Sequence, residues 1–164
     1  MKIPIVNKQD EIVGYKERVD RNPEDIIRLT SIWITDEQGD ILLQQRKLTK
    51  KNNPGKWGPA VAGTVEEGET YDSNVYKELE EELGIRGINL IKDKKYYGES
   101  NTGKRFVQMY TAIIPRNTKL VPQEEEVENL RWVSKDELQK WFAERPEDFV
   151  GFIKDLTELF GYEN

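Results

Sequence analysis

Cysteine and histidine are both absent from this chain of 164 residues. Without cysteine there is no disulfide, no thiolate nucleophile and no Cys-ligated zinc. Without histidine there is no Ser-His-Asp triad, no Cys-His pair and no imidazole ligand for a metal. Acid–base chemistry therefore falls to Glu, Asp, Lys, Tyr or a metal-bound water. A metal site built from oxygen alone favours Mg2+, or Mn2+, over zinc or copper. Long apolar runs are missing too, and the first residues lack a basic segment followed by an apolar one. No membrane partner is expected, and a cytoplasmic location is the default. Positive charge is in deficit: 25 Lys and Arg stand against 31 Asp and Glu, a net charge of −6. General nucleic-acid binding is excluded on that ground, and a phosphate ligand would need local basic groups plus metal.

Residues 63 to 85 read GTVEEGETYDSNVYKELEEELGI, and here the acids are concentrated. In a helix over residues 71 to 83, Glu78, Glu81 and Glu82 are related as i, i+3 and i+4 and share one face. Like charges so spaced cost a helix about 0.2–0.5 kcal/mol per pair. A divalent cation with oxygen ligands is the natural compensation. Val75, Leu79 and Leu83, with Tyr76 beside them, form an apolar stripe about a third of a turn away. The helix is thus expected to pack on one side and present acids on the other. Thr70 suits the N-cap, Asp72 the positive end of the dipole and Gly84 the position after the last turn. A solvated acidic face would account for glutamates alone, but not for this glycine spacing or the one-sided apolar stripe.

The length suits a single domain, 1–164, with a sizeable core. Ile3 to Val6 and Ile12 to Tyr15 form an N-terminal hairpin within residues 1–20. Leu29 to Thr35 and Ile41 to Arg46 flank the turn DEQGD as a second hairpin. Residues 49 to 56 are a basic, turn-rich loop, and Trp57 to Gly63 is a short strand entering the acidic run. Asn89 to Tyr97 and Arg105 to Pro115 are strands around the turn GESNTGK. An acidic loop, Gln123 to Glu128, precedes a strand at Leu130 to Val133. Ser134 with Glu137 makes a capping box for a helix carrying Leu138, Trp141 and Phe142. A last helix starts near Pro146, with Phe149, Ile153, Leu156 and Phe160 on its apolar side.

Residues 63–85 resemble the signature of the Nudix hydrolases, G-x5-E-x7-R-E-U-x-E-E-x-G-U, where U is a bulky aliphatic residue. The match runs Gly63, Glu69, Lys77, Glu78, Leu79, Glu81, Glu82, Gly84 and Ile85, with Lys77 standing where the family has arginine. The resemblance implies an α/β fold: a Nudix-type α/β/α sandwich with a mixed β-sheet, a loop–helix–loop at 63–85, and C-terminal helices over 134–164. The flanking runs NPGKWGPAVAGTVEEGE and IPIVNKQDEIVGYKERVDR resemble the isopentenyl-diphosphate-isomerase-like branch. True isomerases of that branch rely on a cysteine and on histidine metal ligands, so a hydrolase is expected here.

The implied reaction is Mg2+-dependent hydrolysis of a diphosphate bond in a nucleoside diphosphate linked to X, or a similar small molecule. Its implied metal ligands and catalytic residues are Glu78, Glu81 and Glu82, joined by the Gly63 carbonyl. Glu69 and Lys77 would support them, since lysine offers a point charge where arginine offers a fork. Glu126 is the candidate base or extra ligand from a later loop, beside the reading of a solvated acidic loop. Arg46, Trp57 and Arg105 are the candidate substrate contacts. A non-catalytic nucleotide sensor and an isomerase are the alternatives. Nudix proteins are often homodimers, which makes the N-terminal hairpin a candidate interface or exchanged element.

Overall fold

The computed structural model describes residues 1–151 and 153. In chain order its strands are β1 (Lys2–Val6), β2 (Ile12–Glu17), β3 (Ile26–Thr35), β4 (Ile41–Arg46), β5 (Trp57–Pro59), β6 (Val61–Thr64), β7 (Ile91–Ser100), β8 (Gly103–Ile113) and β9 (Val127–Val133). Helix α1 (Tyr71–Leu83) lies between β6 and β7, and α2 (Lys135–Glu144) follows β9.

Strand β3 organises the sheet. It pairs in parallel with β8 along its full length and antiparallel with β6, from Leu29↔Thr64 to Ile32↔Val61. Both faces of β3 are buried, as a central strand between two layers requires. Ile32 and Ile34 meet Val75, Leu79 and Leu83 of α1 in one core. Trp33 points the other way, into a second core with Met109, Val133 and Leu138 of α2. One helix on each face of a mixed sheet is the α/β/α sandwich expected.

The second hairpin is present only at its tip. β3 and β4 pair at the single position Thr35↔Ile41, and then part. β4 pairs instead with β5 and β9. The expected strand over 57–63 is likewise two strands, broken at Ala60, so β5 follows β4 while β6 follows β3. The chain is divided between two diverging strand groups, and the site forms where they part.

Helix α1 spans the predicted residues. Thr70 accepts from the Ser73 amide and Ser73 reaches back to the Thr70 amide, while Gly84 adopts the left-handed conformation at φ 68°. Burying Val75, Leu79 and Leu83 contributes roughly 1.5–3 kcal/mol each, which outweighs the repulsion among the acids of a few tenths per pair. Tyr76 departs from expectation: it is exposed, and its hydroxyl accepts from the Leu90 amide.

The N-terminal hairpin packs on its own chain, with Ile3 and Ile5 against Ile27. Its turn is tied down by Asp10, which receives Arg28 Nε at 2.7 Å, Lys95 Nζ at 2.5 Å and the Tyr71 hydroxyl at 2.9 Å. The GESNTGK segment narrows to a tight turn at Asn101 and Thr102, because the flanking residues continue the β7–β8 ladder. Phe149 is extended and bridges Trp57 rather than opening a helix. Leu156 and Phe160 of the expected last helix lie outside the described residues.

Candidate active site

A cleft of about 300 Å³ gathers most of the residues singled out in the sequence: Gly63, Glu78, Glu81, Glu82, Glu126, Arg46 and Arg105. Trp57 is not among its lining residues. That side chain packs edge-on against Trp141 of α2, with ring centroids 5.5 Å apart, partly buried against the second core. Its substrate role is therefore corrected to a structural one, because a large apolar ring gains more from burial than from the cleft wall.

The acids do not all face solvent. Glu82 is 5% exposed. Gln44 Nε2 donates to its Oε2 at 2.9 Å, and the same amide nitrogen donates to the Ala60 carbonyl at 2.7 Å. Gln44 belongs to β4 and Ala60 to the break between β5 and β6, so Glu82 sits where the strand groups part. Burial pushes its carboxyl up to about 8; hydrogen bonds from Gln44 and the Ala62 amide oppose this, and the charges of Glu78 and Glu126 add to it.

Glu78 lies against Gly63. A methyl carbon on Gly63 would stand 2.3 Å from Glu78 Cγ and Cδ, so only glycine leaves room for this carboxylate. Burial pushes Glu78 up to about 7, with Lys77 opposing and Glu81 and Glu69 adding. Glu81 is exposed at the cleft edge.

A hydrogen-bonded chain supports these acids from behind. Lys77 Nζ lies 2.5 Å from Glu69 and 3.1 Å from Glu66, rather than orienting Glu78 directly. Glu69 also receives the Glu66 amide and Asn74 Nδ2, each at 2.9 Å. Asn74, fully buried, donates to the Thr64 carbonyl at 3.0 Å, accepts from the Thr30 hydroxyl, and lies 3.4 Å from Glu78 Oε1. Burial would raise Glu69, but the bonds from Lys77, Glu66 and Asn74 outweigh it and hold the carboxyl low. Asn74 and Gln44 escaped the sequence reading. The signals were a polar residue one turn before Glu78 and a glutamine inside an apolar strand.

Basic side chains line the same cleft: Arg18, Arg21, Arg46, Lys50 and Arg105. Lys50 Nζ pairs with Glu126 at 2.7 Å, which brings the later-loop carboxylate to the site. Arg46 Nε donates to the Asn52 carbonyl at 2.9 Å. Burial disfavours the Arg46 charge, while Glu126 and Glu82 favour it. Carboxylates and guanidiniums lining one cleft form a site for a small anion bridged to a cation. Among the described residues, no three acidic side chains already converge as a metal cage. No helix among them is long and apolar enough to cross a membrane.

This fold and site define an enzyme of phosphoanhydride chemistry. The chain belongs to the Nudix family: the NUDIX domain model matches residues 27–152. It is accordingly a pyrophosphohydrolase. It is similar to an uncharacterised Nudix hydrolase of Pseudomonas aeruginosa, 30% identical over 129 residues, covering 78% of this chain and 75% of that protein. It is also similar to an isopentenyl-diphosphate Delta-isomerase of Rhodobacter capsulatus, 31% identical over 133 residues, covering 78% of this chain and 75% of the relative. In fold it matches the crystal structure of DR0079 from Deinococcus radiodurans, with a TM-score of 0.85 and 22% identity over 96% of this chain and 98% of that one.

Proposed function

We propose that the chain hydrolyses the diphosphate bond of a nucleoside diphosphate linked to X, or of a similar small diphosphate, in a Mg2+-dependent reaction. The observation that carries this reading is the crowding of half-buried Glu78 and buried Glu82, both pushed upward, at a cleft that cationic side chains also line. A hard divalent cation would relieve that crowding, and every donor present is oxygen, so the residues fit Mg2+ or Mn2+. Glu78, Glu81, Glu82 and the Gly63 carbonyl would hold the ion after small side-chain adjustments. When bound, the metal supplies Lewis acidity toward the bridging phosphates and lowers the pKa of a coordinated water.

The remaining steps fall to the chain's own side chains. Arg46 and Lys50 neutralise the diphosphate as it enters. Glu126 uses one oxygen to hold Lys50, and the other is directed to orienting the attacking water. Glu69 and Lys77 fix α1 against the loop before it, so that Glu78 keeps its place beside Gly63. Such support also explains how lysine replaces the arginine of the signature: two carboxylates converge on one ammonium, a geometry that needs no planar fork.

The similarity to isomerases favours a second reading, allylic isomerisation. The absent cysteine and histidines oppose it. A phosphate-release screen over diphosphate compounds, coupled to a phosphomonoesterase that frees phosphate from the NMP and phospho-X products, with and without Mg2+, decides between them. Metal-dependent release, lost by about 100-fold in Glu82→Gln, supports hydrolysis. Allylic isomer formation without phosphate release refutes it, and tight nucleotide binding without turnover points to a sensor. The chain is further proposed to be a homodimer through its hairpin, where Val13 is 65% and Tyr15 48% exposed. A light-scattering mass near 19.2 kDa would refute the dimer.

A further inference from the structure

We infer that the segment preceding the matched NUDIX residues is part of the substrate site, and that its Arg21 binds a phosphate oxygen of the diphosphate. This rests on the hydrolase reading above for the class of ligand. The NUDIX match begins at residue 27, after both strands of the N-terminal hairpin. Yet Arg18 and Arg21 line the same cleft as Glu78, Glu81 and Glu82. Neither arginine belongs to the signature at 63–85, so the motif gives them no role.

The segment is fixed against the rest of the chain along its length. The Lys2 carbonyl accepts from the Glu67 amide at 2.9 Å, on the loop that enters α1. Val6 pairs with Ile26 of β3, and Asp10 holds the hairpin turn against Arg28, Lys95 and Tyr71. The connection that carries Arg21 closes on itself. The Asp25 amide donates to the Asn22 carbonyl at 3.1 Å, and the Asn22 amide donates to Asp25 Oδ2 at 2.7 Å. Lys16 Nζ donates to both oxygens of Asp25, at 2.7 and 2.9 Å. Arg21 thus leaves a turn that is already ordered, which lowers the entropy lost when a ligand binds.

The guanidinium is seated as well. Arg21 is partly buried, and its Nη2 donates to the Thr102 carbonyl at 2.9 Å. Gly103 makes room for it: a methyl carbon there would stand 2.9 Å from Arg21 Cζ and closer still to Nη2. The Thr102 carbonyl is neutral, and among the described residues Arg21 forms no ion pair. Lys50, by contrast, pairs with Glu126 at 2.7 Å. Burial first, and then the charges of Arg105 and Arg18, disfavour the protonated form of Arg21, while Asp25, itself engaged by Lys16, favours it. An arginine stays charged all the same, so one that is partly buried without a carboxylate gains from an incoming anion. One of its five N–H donors is taken by Thr102, which leaves a fork for phosphate oxygens. Arg18 acts on Arg21 and on Arg46 alike, so the cations of the segment and of β4 belong to one anion site.

Calorimetric titration of the full chain with methylenediphosphonate, whose P–C–P link resists hydrolysis, tests this in excess Mg2+. Loss of a charge-assisted bond in Arg21→Gln should weaken binding by about 10-fold. Gly103→Ala should weaken it too, because it unseats the guanidinium without removing it. The double variant should then lose little more than Arg21→Gln alone. For the best substrate of the coupled screen, kcat/KM should fall in Arg21→Gln by about the same factor as affinity. No binding by wild type, or affinity within about twofold of wild type in Arg21→Gln, overturns the inference. A loss of urea stability in that variant with affinity kept also overturns it, since Arg21 would then only tether the turn between β7 and β8. If Gly103→Ala does not fold, Arg21→Gln decides alone. Weakened binding in Arg21→Gln, with no hydrolysis of any compound by wild type, supports the inference and removes the hydrolase reading only. Hydrolysis by wild type with unchanged affinity in the variant removes the Arg21 role only.

Discussion

Gly63→Ala is the most incisive single change. The new methyl carbon would stand 2.3 Å from Glu78 Cγ and Cδ and 2.6 Å from Oε1, where ordinary contact begins near 3.4 Å. Glu78 must therefore retreat by about 1 Å. The backbone at Gly63 is not in the left-handed region, so alanine brings no backbone strain. Glu78 is a flexible side chain and can swing away, which keeps the stability loss at the low end of the roughly 1–3 kcal/mol typical of overpacking. Function is affected far more. A displacement of that size in a reacting group costs about 100-fold, or about 2.7 kcal/mol in the activation barrier. The assay is kcat/KM for the best diphosphate substrate in saturating Mg2+, with urea denaturation alongside. In a double-mutant cycle with Glu78→Gln, the second change should add little to the first, because both remove the same carboxylate position. Activity within about threefold of wild type for Gly63→Ala, or losses that multiply in the double variant, would refute the reasoning.

Asn74→Leu should lower unfolding stability by about 1–3 kcal/mol in urea, since it strands the Thr30 hydroxyl and the Thr64 carbonyl in the core. Lys77→Arg should change kcat/KM by less than about fivefold, because arginine also reaches Glu66 and Glu69; a gain from no activity to full activity would mean that the lysine is disabling. Asp10 supplies the pH prediction. Burial alone would raise its carboxyl, but hydrogen bonds from Lys95, Arg28 and Tyr71 outweigh burial and bring it below the usual 3.8. The folded state then binds fewer protons than the unfolded one, so this stability is complete above 3.8 and is lost as pH falls through the lower folded value. Unfolding free energies below pH 4 should therefore fall less steeply for Asp10→Asn than for wild type, and equal slopes would contradict the assignment.

The acidic helix was legible because its information is local. Thr70 and Gly84 mark its ends, and a 3.6-residue period separates Val75, Leu79 and Leu83 from the glutamates. Arg46, Arg105 and Glu126 were nominated as isolated charges, and the fold brings all three to one cleft. Trp57 was misread because aromatic residues look alike in sequence whether they line a cleft or fill a core. Its place was settled by Trp141, far along the chain on α2.

What the sequence by itself determined is the chemistry: oxygen ligands only, no thiol or imidazole, and three glutamates at helical spacing behind a glycine. Those follow from residue type and short-range geometry. The burial of Glu82 beneath Gln44, the gap at Gly63 and the arrival of Arg21 and Arg105 at one cleft were decided only by tertiary structure. Each depends on β3 and β4 parting after Thr35 and on the parallel register of β3 with β8. Such non-local contacts join residues whose spacing along the chain carries no period, so only the folded sheet brings them together.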